Sequence, residues 1–509
     1  MNKFTAKLHK IDRIIFAKPR LTLGIILAVT VFFATRIPGV QIVSDFADLL
    51  PQEHPYIELH NEIRDVFGGA NNVILALEVE DGTVFTNDNL QRIDRLTQGV
   101  DSLAGINHNL VTSLTHRTTR KIWLSQEGNV KSAPHFDPTH GDYTDEELAQ
   151  MQADVIANPR VFGLLVSPDL RSALVRGTLN EGALDYEAVF LQLQELREAE
   201  TVPGVNIHAT GNPVLVGWVS TYVDQIVQIF LYTIFIMLAL LTLYFRRTYG
   251  ILLPMLGLVL TSIWGLGILS LLGYNLDPLM MVIPFLISAR AMSHGIQLVE
   301  RFYQERAVLG DGKKAARAAF ENLFRPGSLG VISDAIGLLL ISLGSVPIND
   351  KLAVYASLWA LCVIVTVLIA VPVTLELLPD AQHKQMKRSA LRELFPRVAT
   401  AVTSRAGVTA TLSIAVLCYF IGGYFASWVQ IGEAEPGSPL LYLDHDYNVS
   451  SKAINDAFPG SEELYVVAQT DENGGLKQPE VIKAIADFQA HMLTDPELGG
   501  SKGLPDLLY

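Results

Sequence analysis

Four polar residues lie in a stretch of sequence that is otherwise apolar. Arg290, Ser293, His294 and Gln297 follow one another at i, i+3, i+4 and i+7, which is one face of a helix. The segment that carries them, Leu279 to Val299, is long and apolar enough to cross a bilayer. Ser333 and Asp334 lie in the next apolar run. An ionisable group in hydrocarbon costs about a few kcal/mol on insertion scales and by default marks an ion pathway or a proton relay. At about 1.5 Å of rise per residue, His294 lies roughly 9 Å in from Glu300 and Arg290 roughly 15 Å, while Asp334 lies roughly 10 Å in from Gly327. Asp334 therefore has the depth to meet Arg290 or His294. The chemistry open to such a set is proton transfer. Asp334 would carry the proton, and Arg290 would lower its affinity in one conformation and release it in another. His294, with an intrinsic pKa near about 6.5, could switch alongside. The plainer alternative is a fixed ion pair that pins two helices, because a paired Asp suffers less from desolvation than a lone one.

Seven apolar segments must position this set: Leu21 to Thr35, Ile226 to Phe245, Ile251 to Leu272, Leu279 to Val299, Leu329 to Val346, Leu352 to Leu378 and Val408 to Val429, here spans 1 to 7. Each is about the length a bilayer requires, or nearly so. Basic residues mark one side. The first 20 residues hold six Lys/Arg, the loop from Arg301 to Arg325 six, and the loop from Pro379 to Gly407 six, whereas the turn after span 3 has none. This asymmetry places the N-terminus in the cytoplasm and the larger polar stretches outside. A short interfacial helix is expected around Ile11 to Phe16. Arg36-Ile37-Pro38 follows span 1 in place of a small-residue cleavage site, so span 1 reads as retained.

Charge is segregated in the same way. The net charge is −14, with 26 acidic against 11 basic residues over 37–221 and 14 against 4 over 430–509. The remainder is net basic, which suits contact with anionic lipid. Acidic exterior domains argue against nucleic-acid binding. Cys362 and Cys418 both fall within spans, so no disulfide framework holds the exterior domain. No Gly-rich phosphate loop and no nucleophile–base motif appears, which argues against ATP as the energy source and against an enzyme. No cofactor or metal site is expected. His135, Asp137 and His140 lie close together, but their spacing is not a ligand pattern and reads as a polar loop. Asp224, at the outer edge of span 2, is a candidate for substrate entry or simply a solvated interfacial acid. Glu376, near the inner end of span 6, reads as interfacial.

The first exterior domain, 37–221, reads as helix (Tyr56–Phe67), strand (Asn72–Glu80), helix (Asn87–Leu103), strand near Asn109–Leu114, an irregular polar stretch, strand (Ser172–Leu179), helix (Tyr186–Ala199) and strand (Val205–Ala209). Two βαβ-like units imply an α+β domain of split-βαβ type. The chain also repeats itself. HPYIELHNEIRDVFGG at 54–69 matches HDYNVSSKAINDAFPG at 445–460 at a constant offset, pairing His54 with His445, Tyr56 with Tyr447, Ile63 with Ile454, Asp65 with Asp456, Phe67 with Phe458 and Gly69 with Gly460. A strand-like run comes next in each copy, and each copy is preceded by a span and a Val-Gln-Ile tripeptide. The repeated unit would be one span, an exterior domain and five spans; doubled, it would take about 780 residues, in the manner of transporters built from repeats. The chain thus divides into 1–36 (N-terminus and span 1), 37–221 (first exterior domain), 222–378 (spans 2 to 6), 379–407 (cytoplasmic loop), 408–429 (span 7) and 430–509, the start of a second exterior domain that the chain does not complete.

This order of elements resembles the resistance-nodulation-division (RND) superfamily, in particular its MMPL-like branch. The resemblance covers nearly the whole chain. It is carried by D-L-L-P at Asp48–Pro51, F-G-G at Phe67–Gly69, G-N-P at Gly211–Pro213 ahead of span 2, NLDPLMMVIPFLISA over 275–289 and Q-L-V-E-R-F-Y over 297–303. It implies a polytopic α-helical protein of the bacterial inner membrane with split-βαβ periplasmic domains. It also implies proton-driven export of hydrophobic or lipid-like substrates, with spans 2 to 6 similar to a sterol-sensing block. Substrate, membrane lipids, and a homo-oligomer or periplasmic accessory proteins are the partners expected. The alternatives are a lipid or sterol sensor that does not pump, and a protein-translocation accessory of similar architecture. The sequence departs from the family on span 4, where A-R-A-M-S-H-G stands in place of an acidic residue. Either the acid has moved to Asp334, or a tenth span supplies it, or coupling is lost.

Overall fold

The computed structural model describes residues 14–40, 51–67, 71–125, 129–180, 185–276, 280–379, 390–429, 436–461, 464–472, 474–495 and 498–507. Among these, seven helices are long and apolar enough to cross a membrane: Pro19–Gly39, Asn212–Phe245, Thr248–Leu271, Val282–Leu309, Gly312–Leu343, Pro347–Leu377 and Arg405–Ala426. They correspond one for one to spans 1 to 7 and take those names. The chain forms two compact units, Met1–Ile57 with Asp224–Gln430, and Glu58–Val223 with Ile431–Tyr509.

In the membrane unit, spans 3 to 6 make the core. Tyr355 and Trp359 of span 6 are fully buried, and the Trp359 indole N–H donates to the Thr261 carbonyl of span 3 at 2.7 Å. Gly265 makes this approach feasible, since a Cβ there would fall 1.9 Å from the Trp359 ring. Small residues do this in membranes because apolar side chains gain little by leaving lipid, so close packing must hold the helices together. The hydroxyls of Thr261 and Thr366 meet at 2.6 Å. Span 6 is not a uniform α-helix: Ile364–Ile369 forms a π-helical turn between Pro347–Val363 and Ala370–Leu377. Glu376, expected at the interface, is buried and takes Arg317 of span 5 at 2.7 Å. Span 7 has no buried residue. Of the expected interfacial helix only the end, from Ile14, lies within the described residues.

The extramembrane unit is built on β1 (Asn72–Val79), β2 (Arg120–Leu124), β3 (Val130–Pro134), β4 (Ser172–Thr178) and β5 (Val205–Thr210). Its helices are α1 (Pro55–Phe67), α2 (Asn87–Asp101), α3 (Asp145–Ile156), α4 (Tyr186–Glu200), α5 (Asp446–Ala457) and α6 (Pro479–Met492). The main sheet runs β4-β1-β5, with β1 antiparallel to both neighbours. This is split-βαβ order with its outer strand reduced. The strand expected near Asn109–Leu114 is a 3-10 turn at His108–Leu110 and a single bridge, Thr112 to Arg176. The stretch read as irregular holds the β2–β3 hairpin and α3, whose first turn is closed by a capping box between Thr144 and Glu147.

Strand β1 shows the period-2 rule on both faces. Val73, Leu75 and Leu77 join the core under α2 and α4, while Ile74 and Ala76 join Leu174 with Ile454 and Phe458 of α5. The second copy of the repeat therefore covers the second face of the first copy's sheet within one compact unit. The two repeated helices begin alike. His54 Nδ1 accepts from the Tyr56 backbone N–H at 3.2 Å, and His445 Nδ1 from that of Tyr447 at 3.1 Å. The strand-like run of the second copy differs from β1: residues 464–470 make no ladder. Exposed Leu464 and Val466 pack on no partner strand. The G-N-P turn ends the unit. Gly211 has φ +108°, and a Cβ there would lie 1.9 Å from the Asn72 carbonyl oxygen, so only glycine fits.

Candidate functional site

Helix periodicity puts Arg290, Ser293, His294 and Gln297 on one side of span 4, and span 5 brings Asp334 to the same depth. The structure joins Arg290 to Asp334 in a two-pronged pair: Nε donates to Oδ2 at 2.6 Å, and a second guanidinium N–H donates to Oδ1. A planar guanidinium fits a carboxylate this way, and the geometry is specific to arginine. The expected partner of Asp334 is thus Arg290; no hydrogen bond joins Asp334 to His294. Ser293 and Gln297 touch each other only at 3.5 Å.

The pair lies at the edge of the bundle. The Arg290 side chain is 50% exposed and that of Asp334 30%, and Ser293 and Gln297 are exposed as well. His294 turns inward. Its Nε2 is buried and has no hydrogen-bond partner among the described residues. It lines, with Gln297 and Leu298, a cavity of about 120 Å³ closed by Leu323, Pro326 and Gly327 of span 5 and Leu368 of the π turn. Sequence reasoning does not find this cavity. Pro326 was a visible signal, because proline inside a helix removes a backbone hydrogen bond. The π turn has no sequence signature of its own.

The other candidates do not converge. The Asp224 side chain lies outside the described ones. His135 is buried and its Nε2 meets Asn158 at 3.3 Å, Asp137 accepts from Thr139 at 2.7 Å, and the His140 ring stacks on Tyr143 at 4.4 Å. Among the described residues no group of three or more His, Cys, Asp or Glu is placed to hold a metal ion.

Arg290 and Asp334 together form a neutral unit. His294 is a neutral base or a cation depending on whether it is protonated. Both stand inside helices that cross the membrane, which is the arrangement proton-coupled movement requires.

A model of the MMPL family matches residues 49–409. A curated protein of the archaeon Methanocaldococcus jannaschii, described by its name only as a membrane protein, is 25% identical over 374 residues, covering 72% of this chain and 92% of that protein.

Proposed function

The chain belongs to the MMPL family, and from that premise we propose that it exports hydrophobic or lipid-like molecules at the expense of a proton gradient. The observation that carries this reading is the Arg290–Asp334 pair held between two membrane helices, one helical turn from His294. With Arg290 in place, both Asp334 oxygens are engaged by guanidinium donors. A small separation of spans 4 and 5 leaves the carboxylate in a low dielectric, where desolvation favours its protonated form. Proton uptake and helix movement are then linked, and a substrate site that changes with the helices is driven by the gradient.

The same face bears on partners. Arg290, Ser293 and Gln297 are exposed at the edge of the bundle, and hydrocarbon opposes such a face. A second membrane bundle covering it, as in a homo-oligomer, removes that cost. The reading places the protein in a bacterial inner membrane, with the extramembrane unit on the periplasmic side collecting substrate and Asp224 near its entry.

The test is transport in reconstituted vesicles with an imposed pH gradient and a fluorescent acyl lipid as probe. Lipid-dependent proton flux is expected in the wild-type chain and its loss in Asp334→Asn. Lipid binding without proton flux would indicate a sensor that does not pump. A deletion strain with a secretion defect and no lipid accumulation would indicate a translocation accessory.

A further inference from the structure

Polar residues on span 4 continue from Arg290 toward one end of the helix and stop toward the other. C-terminal to Arg290 come Ser293, His294, Gln297, Arg301, Gln304 and Glu305; N-terminal to it, apart from Ser288, the helix reads Val282, Ile283, Phe285, Leu286 and Ile287. Recurrence every three to four residues makes the polar set a stripe. At its far end the stripe faces span 5: Arg301 pairs with Glu305 at 2.7 Å, and the Asn322 amide donates to Glu305 at 3.1 Å. That end lies at the Gly310–Asp311 turn, and the stretch expected as a basic loop over 301–325 is helical on both sides of it, so its basic residues stand on the ends of spans 4 and 5.

The cavity beside His294 lies along this stripe. Two irregularities shape it. Pro326 interrupts span 5 and lacks the N–H that the Asn322 carbonyl would otherwise receive. The π turn of span 6 brings in Leu368, which sits 3.0 Å from where a Cβ on Gly327 would be; such turns cluster at functional sites. The cavity has room for a few waters, and its buried His294 Nε2 and the Gln297 amide give water something to bind. Apolar cavities stay dry, whereas polar ones of this size fill.

We propose that this cavity is the hydrated end of a half-channel that opens only toward the basic loops, and that His294 is the group that releases its proton through it. The proposal rests on the proton-driven reading above and specifies where the proton leaves. The imidazolium of His294 gives a proton to a channel water, breaking one N–H bond, forming one O–H bond and leaving a neutral ring and a hydronium ion that departs toward the basic loops. His294 is the one titratable side chain on the cavity wall. The charged groups that act on it are Arg290 on its own helix and Asp334 on span 5; span 6 presents Leu368, and span 3 presents Pro254 against Gly295. Asp334 is engaged by two Arg290 donors, so the pair stands at the far end of the path.

The experiment uses the full chain in oriented proteoliposomes, with Cys362 and Cys418 replaced by Ser. Leu298→Cys and, separately, Leu323→Cys are treated with a small membrane-impermeant cationic methanethiosulfonate. Modification is expected to be about tenfold or more faster from the basic-loop side, since bulk hydrocarbon excludes the reagent, and Leu286→Cys should show no such bias. In parallel, ¹⁵N-histidine spectra should show one buried ring titrating with the pH on that side, lost in His294→Asn and kept in Asp334→Asn. Equal or absent labelling from the two sides overturns the half-channel. A His294 ring that does not titrate overturns its role as the releasing group, even if Asp334→Asn abolishes proton flux and so upholds the export reading. One-sided labelling with a titrating His294 but no proton flux in the wild-type chain sinks the export reading and leaves the hydrated path standing.

Discussion

Arginine meets carboxylate in both units, under opposite conditions. In the extramembrane unit Glu200 is 6% exposed and accepts from Arg95 through both oxygens at 2.7 Å, with Arg92 3.3 Å away. In the membrane unit Asp334 has one cationic partner, Arg290, itself half exposed at the bundle's edge. The Arg95 hydrogen bonds hold the Glu200 carboxyl below the usual carboxylate range, against the opposing effect of burial. Two guanidinium groups from one helix clasp the end of another, so Glu200 keeps a cationic partner even when one of the two contacts breaks. Asp334 has a single clasp, and its loss exposes the acid to hydrocarbon, where the protonated form becomes competitive. Under the proton-driven reading proposed above, the same chemical pair is a fastener in one unit and a switch in the other because of partner count and surrounding medium.

Breaking the membrane pair should have the largest effect. Arg290→Met leaves Asp334 unpaired at the edge of the bundle, where hydrocarbon opposes a lone charge; thermal unfolding of the membrane unit should drop and proton flux should vanish. The double change Arg290→Gln with Asp334→Asn should recover the unfolding temperature and leave flux absent, because a neutral hydrogen-bonded pair packs as well as a charged one. Recovery of flux in that double variant would mean that the pair is a fastener after all, and the contrast would fail.

Glu200→Gln is the matching change outside the membrane. It should destabilise the extramembrane unit by about 2 kcal/mol through loss of charge-assisted hydrogen bonds, read as faster hydrogen exchange in β1, with proton flux unchanged. An effect on flux would show that the two units are not separable in this respect.

Acid should then weaken the extramembrane unit in two steps. Burial, the largest influence on His135, holds its pKa below the usual 6.5. The unfolded chain therefore binds that proton first, and stability falls as pH drops below about 6.5 toward the lowered folded value. His116 is shifted the same way for the same reason, so His135→Asn should flatten only part of the slope. Glu200 acts lower: its contribution is complete above its ordinary value of 4.5 and fades as pH falls through the depressed folded one. Denaturant midpoints of the full chain across pH, followed by exchange in β1, measure both steps.

The smallest effect is expected at the helix caps. His445→Ala removes the acceptor for the Tyr447 N–H and should cost about 1 kcal/mol, the usual worth of an N-cap. If His54→Ala costs the same, the two repeats are energetically alike at their starts.

The repeat was legible because it is local. A histidine two residues before a tyrosine, ahead of an amphipathic run, says where a helix begins, and both copies begin there. The fate of the strand-like run after each helix was not legible. The run 464–470 has strand composition like β1, but a strand also needs a neighbour to receive its hydrogen bonds, and composition does not supply one. The hairpin and α3 were missed for the converse reason. The hairpin is held by cross-strand bonds and by the Lys121–Asp154 contact at 2.9 Å, and α3 carries only a short apolar period, Leu148, Met151 and Val155, which meets the core from within a stretch of otherwise polar sequence.

The sequence by itself determined the seven spans, the charge asymmetry around them and the depth that sets Asp334 level with Arg290, since hydropathy, composition and a fixed rise per residue are properties of one stretch of chain at a time. Only the tertiary structure decided that Asp334 takes the guanidinium and leaves the imidazole, that His294 turns instead to a cavity made by a proline and a π turn, and that α5 closes the second face of β1. Those outcomes depend on how each helix is rotated against its neighbours and on which side-chain rotamers the remaining space allows, and residue spacing along one helix fixes neither.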